Sequence, residues 1–297
     1  MSVVQLPIER DESAGVVTLT LRPIPEGSPV VVLNRAMLAA INSALDEIAR
    51  GAPPRGFVLA SDSRVFIAGA DLREIMGLSD PELHDYLRFG QEVYGRIARL
   101  PCTTVAAING AALGGGLEVA MHCDHLIAAQ PVDGTPEKPS RPYAIGLPEA
   151  GLSICPGWGG TNLLPARMDA ARAIEMTATG KTFTVLDAHA AGLVEQLVPS
   201  SMLHARAVER ARASKASARA TPRCISDPGL REIVRGAAGA VSTRLPDAQA
   251  ARAVLDCVQV GLDRGWQAAL DAEREHLVRL RGTPEGKGAI EAFFAKK

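Results

Sequence analysis

Apolar and β-branched positions alternate from Gly15 to Leu21 (GVVTLTL), which predicts a strand, and the run breaks at Arg22-Pro23-Ile24-Pro25-Glu26-Gly27. From Arg35 to Ala49 the residues Met37, Leu38, Ile41, Leu45 and Ile48 recur at spacings of three and four, a helical stripe stopped by Gly51 and Pro53-Pro54. The same reading gives a buried strand at Gly56 to Ala60, an amphipathic helix from Leu83 to Leu100 closed by Pro101, and a strand from Thr104 to Ile108 that ends at Asn109-Gly110. Gly114, Gly115 and Gly116 then precede a helical stretch from Leu117 to Met121, and Leu126 to Ala129 forms a short strand. Strand and helix alternate through this half. The segment Gln130 to Arg141, with three prolines and charges of both signs, reads as a solvent loop. Helices are predicted at Ala170 to Thr179, ahead of Gly180, and at Val185 to Ala191, followed by Leu193-Val194-Glu195-Gln196-Leu197-Val198. Beyond Pro199 the chain turns Ala/Arg-rich with helical spacing and one break, Thr221 to Gly229. The expected division is therefore a core over residues 1–200 and a helical region over 201–297. In that region, helices such as Ala248 to Leu262 and Gln267 to Leu280 bury one stripe against the core or a neighbouring subunit.

At 297 residues and 47% hydrophobic composition the chain can bury a substantial core without disulfides or a structural metal. A formal net charge of -1 and the absence of a basic cluster argue against a nucleic-acid binder, which needs clustered cations to neutralise phosphates. The five cysteines, Cys102, Cys123, Cys155, Cys224 and Cys257, are scattered and contain no CxxC pair, so reduced thiols and a cytoplasmic location are expected. The start MSVVQLPIERDESAG lacks the pattern of a secretory signal, and no apolar stretch reaches 18 residues, so no membrane association is expected.

Two loop-to-helix junctions offer backbone donors to a substrate oxygen. Ile67-Ala68-Gly69-Ala70-Asp71 keeps the chain uncovered with small residues, and Gly114-Gly115-Gly116 stands where unpaired N–H groups and the helix dipole favour developing negative charge. Glycines also serve where backbones pack closely, so a purely steric role for the triplet stays open. Glu118 in the first helical turn either complements the dipole or does chemistry. Glu149, set among apolar residues in Gly146 to Leu152, would have a raised pKa if buried without a basic neighbour and could move protons near neutral pH. Pro156-Gly157-Trp158-Gly159-Gly160-Thr161 adds another glycine loop. The Glu118, His122, Cys123 and His125 group has spacing compatible with zinc, but no metal is assigned. A dinucleotide fingerprint is not formed, and Ser153 and Cys155 lack a nucleophile-elbow setting.

The order of these elements resembles the enoyl-CoA hydratase/isomerase (crotonase) family. The matching segments are Ala68-Gly69-Ala70-Asp71-Leu72-Arg73-Glu74, Ile108-Asn109-Gly110 through Leu113-Gly114-Gly115-Gly116-Leu117-Glu118, Cys123-Asp124, Pro148-Glu149, Pro156 to Thr161, and Ala188 to Val194. The likeness runs from about Gly15 to Val198, and a weaker one continues through Glu273 and Gly288 to Phe294. The resemblance implies an α/β fold, the crotonase-like (ClpP/crotonase) spiral of ββα units, with a helical C-terminal region that covers the site and joins homotrimers or homohexamers. It implies that the Ala70 and Gly115 N–H groups form an oxyanion hole around a thioester carbonyl. Glu118 and Glu149 would be the acid/base pair, and the Gly157 N–H would position the water.

The resemblance further implies an acyl-CoA thioester substrate, with coenzyme A as part of it and no separate cofactor. Ala68, Asp71, Leu72, Arg73, Arg35, Gly114 and Trp158 are the candidate substrate and CoA contacts, joined by Arg22, Lys287, Lys296, Lys297, Met76 and Phe293. Surface solvation or core packing is the alternative for each. Two departures stand out. The loop Gln130 to Ile145 is longer than the family's, and GGTQRL is replaced by Gly160-Thr161-Asn162-Leu163-Leu164-Pro165. The favoured activity is hydration of a trans-2-enoyl-CoA. The alternatives are Δ3-Δ2-enoyl-CoA isomerisation, another CoA-thioester reaction, or an acyl-CoA-binding or assembly subunit without turnover.

Overall fold

A computed structural model describes residues 4–132, 141–213 and 219–295. The central part of the long loop, residues 133–140, and the final pair Lys296 and Lys297 lie outside the described residues. Along the chain run β1 (Ile8–Asp11), β2 (Val16–Leu21), α1 (Arg35–Arg50), β3 (Gly56–Ser61), α2 (Leu72–Gly77), α3 (Asp80–Ala98), β4 (Thr103–Ile108), β5 (Ala112–Leu113), α4 (Gly115–Met121) and β6 (His125–Ala129). There follow β7 (Ala144–Gly146), α5 (Gly160–Leu163), α6 (Ala170–Thr179), β8 (Thr182–Thr184), α7 (Val185–Ala190), β9 (Gln196–Val198) and α8 (Leu203–Arg212). The last helices are α9 (Arg231–Ser242), α10 (Gln249–Arg264), α11 (Trp266–Arg281) and α12 (Pro284–Ala295). Two compact units share this chain. The first comprises Met1–Gly69, Val93–Ile145 and Phe183–Pro222, and the second comprises Ala70–Glu92, Gly146–Thr182 and Arg223–Lys297.

The first unit is built on a six-stranded sheet of order β1-β2-β3-β4-β6-β9. Its strands are parallel except for β1, which pairs antiparallel with β2 through Ile8 opposite Leu19. Buried on both faces, the parallel strands read as near-continuous apolar runs, as in TTVAAI of β4, where every residue is buried. On one face Val16, Val58, Val105 and Ile127 meet Leu203, Ala207 and Ala211 of α8. There Gly56 is required, because a Cβ would lie 2.7 Å from the Ala211 carbonyl oxygen. Helix α1 buries the expected stripe of Met37, Leu38, Ile41, Leu45 and Ile48, each worth about 1.5–3 kcal/mol of transfer free energy. Asn34 caps the helix by accepting a hydrogen bond from the Met37 N–H at 2.8 Å. A second sheet has the order β5-β7-β8.

The second unit is helical. Helices α6, α9 and α10 share a core of Ile174, Val234, Val241, Val258 and Leu262. A second cluster joins Ile154, Cys155, Val254, Cys257, Leu280 and Ile290. The region after residue 203 is helical among the described residues, as its spacing predicts. Helix α4 differs from its predicted start. It begins at Gly115, not Leu117, because Gly114 takes a left-handed φ of 52° at the N-cap and leaves two glycines inside the first turn.

Candidate active site

In the first unit the segment Ile67 to Gly69 is held on two sides by backbone bonds. The Ala68 N–H donates to the Val31 carbonyl at 2.9 Å, and the Leu33 N–H donates to the Gly69 carbonyl at 2.9 Å. Opposite, the Ile67 N–H donates to Ala111 and the Leu113 N–H donates to Ile67, both at 3.2 Å. Glycine is required at two points of this clamp. Gly69 has φ 119° with Leu113 behind it, and a Cβ on Gly116 would stand 2.6 Å from the Ile67 carbonyl oxygen. Gly115 therefore opens α4 on a bare backbone, where the first N–H groups have no intrahelical acceptor and Gly114 has no side chain to cap them. Glu118 follows in the same turn and is only 1% exposed. Its own carbonyl meets the His122 Nδ1 at 2.9 Å, so the i, i+4 spacing of these two residues serves a side chain-to-backbone bond. His125 instead faces Glu195, at 2.7 Å. Asp124 of the Cys123-Asp124 pair accepts from the Thr104 N–H at 2.8 Å and the Thr104 hydroxyl at 3.0 Å, tying the turn after α4 to β4.

In the second unit Ala70 is half-buried and Asp71 caps α2, accepting from the N–H groups of Arg73 at 2.9 Å and Glu74 at 3.3 Å. Leu72 and Met76 pack on the apolar cluster, and the Arg73 guanidinium lies 5.2 Å from the centre of the Phe294 ring. Glu149 opens a single 3₁₀ turn, Glu149–Leu152, which ends at Ser153 in the left-handed region with φ 57°. Its Oε2 is buried and has no hydrogen-bond partner among the described residues. Burial pushes this carboxyl up to about 8, and the charge of Glu273 adds to the rise.

The loop that follows is anchored at both ends. The Gln91 side-chain amide donates to the Gly157 and Leu270 carbonyls, each at 2.9 Å. Glu273, fully buried on α11, accepts from the Gly159 N–H at 2.5 Å, and from the Thr161 N–H at 2.8 Å and hydroxyl at 2.5 Å. Its carboxyl is raised by burial against these stabilising bonds. Asn162, where the family pattern has Gln, donates to the Cys257 carbonyl at 3.1 Å and so fastens the loop to α10. Trp158 is 1% exposed, donates from its indole to the Leu87 carbonyl at 3.1 Å, and meets Tyr86 edge-on. It is part of the interior of this unit, the packing alternative read from the sequence.

In the first unit Ile67 thus meets Ala111, Leu113 and Gly116, with Gly115 and Glu118 on the same α4 turn after Gly114, and in the other unit Glu149 and the Gly159–Thr161 loop both interact with Glu273. Of the cationic candidates, Arg22 pairs with Asp62 at 3.2 Å, while Arg35, at the start of α1, and Lys287, on α12, are exposed. Sequence reasoning assigned no role to Gln91, and Glu273 entered only as part of the weaker likeness. A signal for Glu273 exists, a carboxylate on the buried stripe Leu270, Glu273, Leu277, Leu280 of α11. All five cysteines are buried and unbridged, and burial raises the Cys155 thiol well above its ordinary value.

Residues 11–227 match the model of the enoyl-CoA hydratase/isomerase family. The chain belongs to this family. Its members act on acyl-CoA thioesters. It is 33% identical over 271 residues to the fatty acid oxidation complex subunit alpha of Aliivibrio fischeri, an alignment covering 89% of this chain and 38% of that protein. The chain thus spans well under half the length of that relative. Among solved structures it is similar to an enoyl-CoA hydratase from Bacillus anthracis, at 27% identity and TM-score 0.60, covering 99% of this chain and 97% of that one. The human mitochondrial delta3-delta2-enoyl-CoA isomerase shares the fold at TM-score 0.69 and 23% identity, covering 99% and 98% of the two chains. The crotonase fold with a helical C-terminal region, expected from the motifs, is the fold of this chain. Among the described residues no helix is long and apolar enough to cross a membrane.

Proposed function

We propose that this family member is an enoyl-CoA hydratase, adding water reversibly and syn across the double bond of a trans-2-enoyl-CoA to give a 3-hydroxyacyl-CoA. The reading is carried by Glu149, a half-buried residue whose Oε2 is buried and unpartnered among the described residues, held in its protonated form at neutral pH and so able to deliver a proton to Cα. Glu118, the second carboxyl of the pair, favours hydration over isomerisation, since isomerases of the family typically keep only the position matching Glu149. The Ala70 and Gly115 N–H groups hold the thioester oxygen as negative charge develops on it, and one such donor is worth about 2.7–4 kcal/mol. The Gly157 N–H and the two carboxyls hold the water whose oxygen bonds to Cβ. One water proton is taken up as one proton is delivered to Cα, so the carboxyl pair is regenerated and no cofactor beyond the CoA of the substrate enters the balance. Arg35, Arg73 and Lys287 meet the nucleotide end, and the chain works in the cytoplasm as a homotrimer or homohexamer.

The test is the loss of conjugated enoyl-thioester absorbance with crotonyl-CoA. We expect turnover in the parent and a loss of about 10²–10⁴-fold in both Glu118→Gln and Glu149→Gln. A parent that binds CoA esters but leaves crotonyl-CoA unchanged overturns the assignment. Conversion of a 3-enoyl-CoA by that parent would then establish the isomerase, and binding without any turnover the acyl-CoA-binding subunit.

A further inference from the structure

Glu273 raises a question that stability alone does not answer. A fully buried carboxylate is costly, and a second carboxyl nearby raises the cost, so an amide would be the cheaper brace for a loop. Yet all three of its hydrogen bonds go to one loop, through the Gly159 N–H, the Thr161 N–H and the Thr161 hydroxyl. That loop carries Gly157, and Gln91 holds the same glycine by its carbonyl. Among the described residues, Glu273 supplies the charge that acts on Glu149. The other elements packed on the Glu149 turn present Ala178 from α6 and Ile290 and Phe294 from α12, together with the buried thiols Cys155, which burial pushes up, and Cys257, which is raised although its bond with Cys155 pulls it down.

We propose that Glu273 is a positioning residue of the hydration site: its carboxylate fixes the Gly159–Thr161 loop so that the Gly157 N–H stays aimed at the water. The inference rests on the hydratase reading for its chemistry, but the link between Glu273 and Glu149 is measurable without turnover. The sign is fixed by electrostatics. A negative neighbour disfavours ionisation of Glu149, so its removal lets Glu149 lose its proton at lower pH.

The experiment uses the full chain and two readouts, a carboxyl NMR titration with isotope-labelled glutamate and the pH profile of crotonyl-CoA hydration. The Glu149 signal is identified by its disappearance in Glu149→Gln. In Glu273→Gln we expect the Glu149 midpoint and the matching limb of the rate profile both to move to lower pH, and the rate at neutral pH to fall by up to about 10²-fold as the loop is misplaced. Glu273→Asp, which keeps the charge but shortens the reach, should restore the midpoint while leaving the rate low. An unmoved Glu149 midpoint in Glu273→Gln overturns the proposal, as does a uniform rate loss at every pH. If Glu273→Gln does not fold, Thr161→Ala carries the test by removing one of the three donors. We expect kcat to fall about tenfold with KM unchanged, about 1.4 kcal/mol of transition-state stabilisation, and an unchanged kcat overturns the positioning role. A parent without hydration activity overturns the hydratase reading separately, and the Glu149 midpoint then decides the role of Glu273.

Discussion

The two glycine loops of this chain reach similar ends by different means. The loop at Gly114 is fixed by steric fit and backbone bonds within its own neighbourhood: Gly116 lies against Ile67, and the same strand-like segment bonds to Leu113 and Ala111. The loop at Gly157 is fixed by side chains from far along the sequence, Gln91 on α3 and Glu273 on α11. The first loop therefore tolerates no added atom, whereas the second depends on the protonation and reach of distant groups.

Three perturbations break or sharpen this contrast. The largest effect is expected at Gly116→Ala, whose methyl meets the Ile67 carbonyl at 2.6 Å and the Ile67 Cβ at 2.7 Å. A loss of about 3 kcal/mol, read from the urea midpoint, is the expected cost of overpacking there. A loss below about 0.5 kcal/mol would show that the clamp yields and that the loops differ less than their geometry implies.

The second loop should respond to pH. Glu149 and Glu273 both titrate above the ordinary 4.5 of a glutamate in the folded chain, so the folded state retains protons that the unfolded state has released. Their contribution to stability is fully present below that ordinary value and is lost as pH rises through the folded values, towards about 8. Urea midpoints should fall across this window, and Glu149→Gln should flatten the slope. A parent with no slope there would contradict the buried pair. The smallest effect is expected at Asp71→Ala, a loss of about 1 kcal/mol by thermal unfolding, because only the cap of the short α2 is removed.

Much of the fold is legible in the sequence because its main elements carry their own periodicity. The stripe of α1 and the apolar runs of β2, β3 and β4 are read within a residue or two of their ends. The missed pieces are those whose partners supply the reason for their form. Strand β1, IERD, is polar and outward-facing, and only its pairing with β2 makes it a strand. Strands β7 and β8 have three residues each, too few to show alternation. At the site, the motif positions Gly114 to Glu118 and Glu149 are visible because glycine and carboxylate at those places are chemically unusual. The bracing by Gln91 and Glu273 is not visible locally, since each acts more than 60 residues from the loop it holds.

The interleaving of the two units has a consequence for the birth of the molecule on the ribosome. The first unit has all its segments once Pro222 has been made, but the second waits for Arg223–Lys297, the stretch that contains Glu273. At about 5–20 residues per second that stretch takes about 4–15 s to synthesise. Through that interval the Glu149 turn and the Gly157 loop exist without the helices that bury them. The nascent chain thus exposes apolar surface beside an unbraced loop.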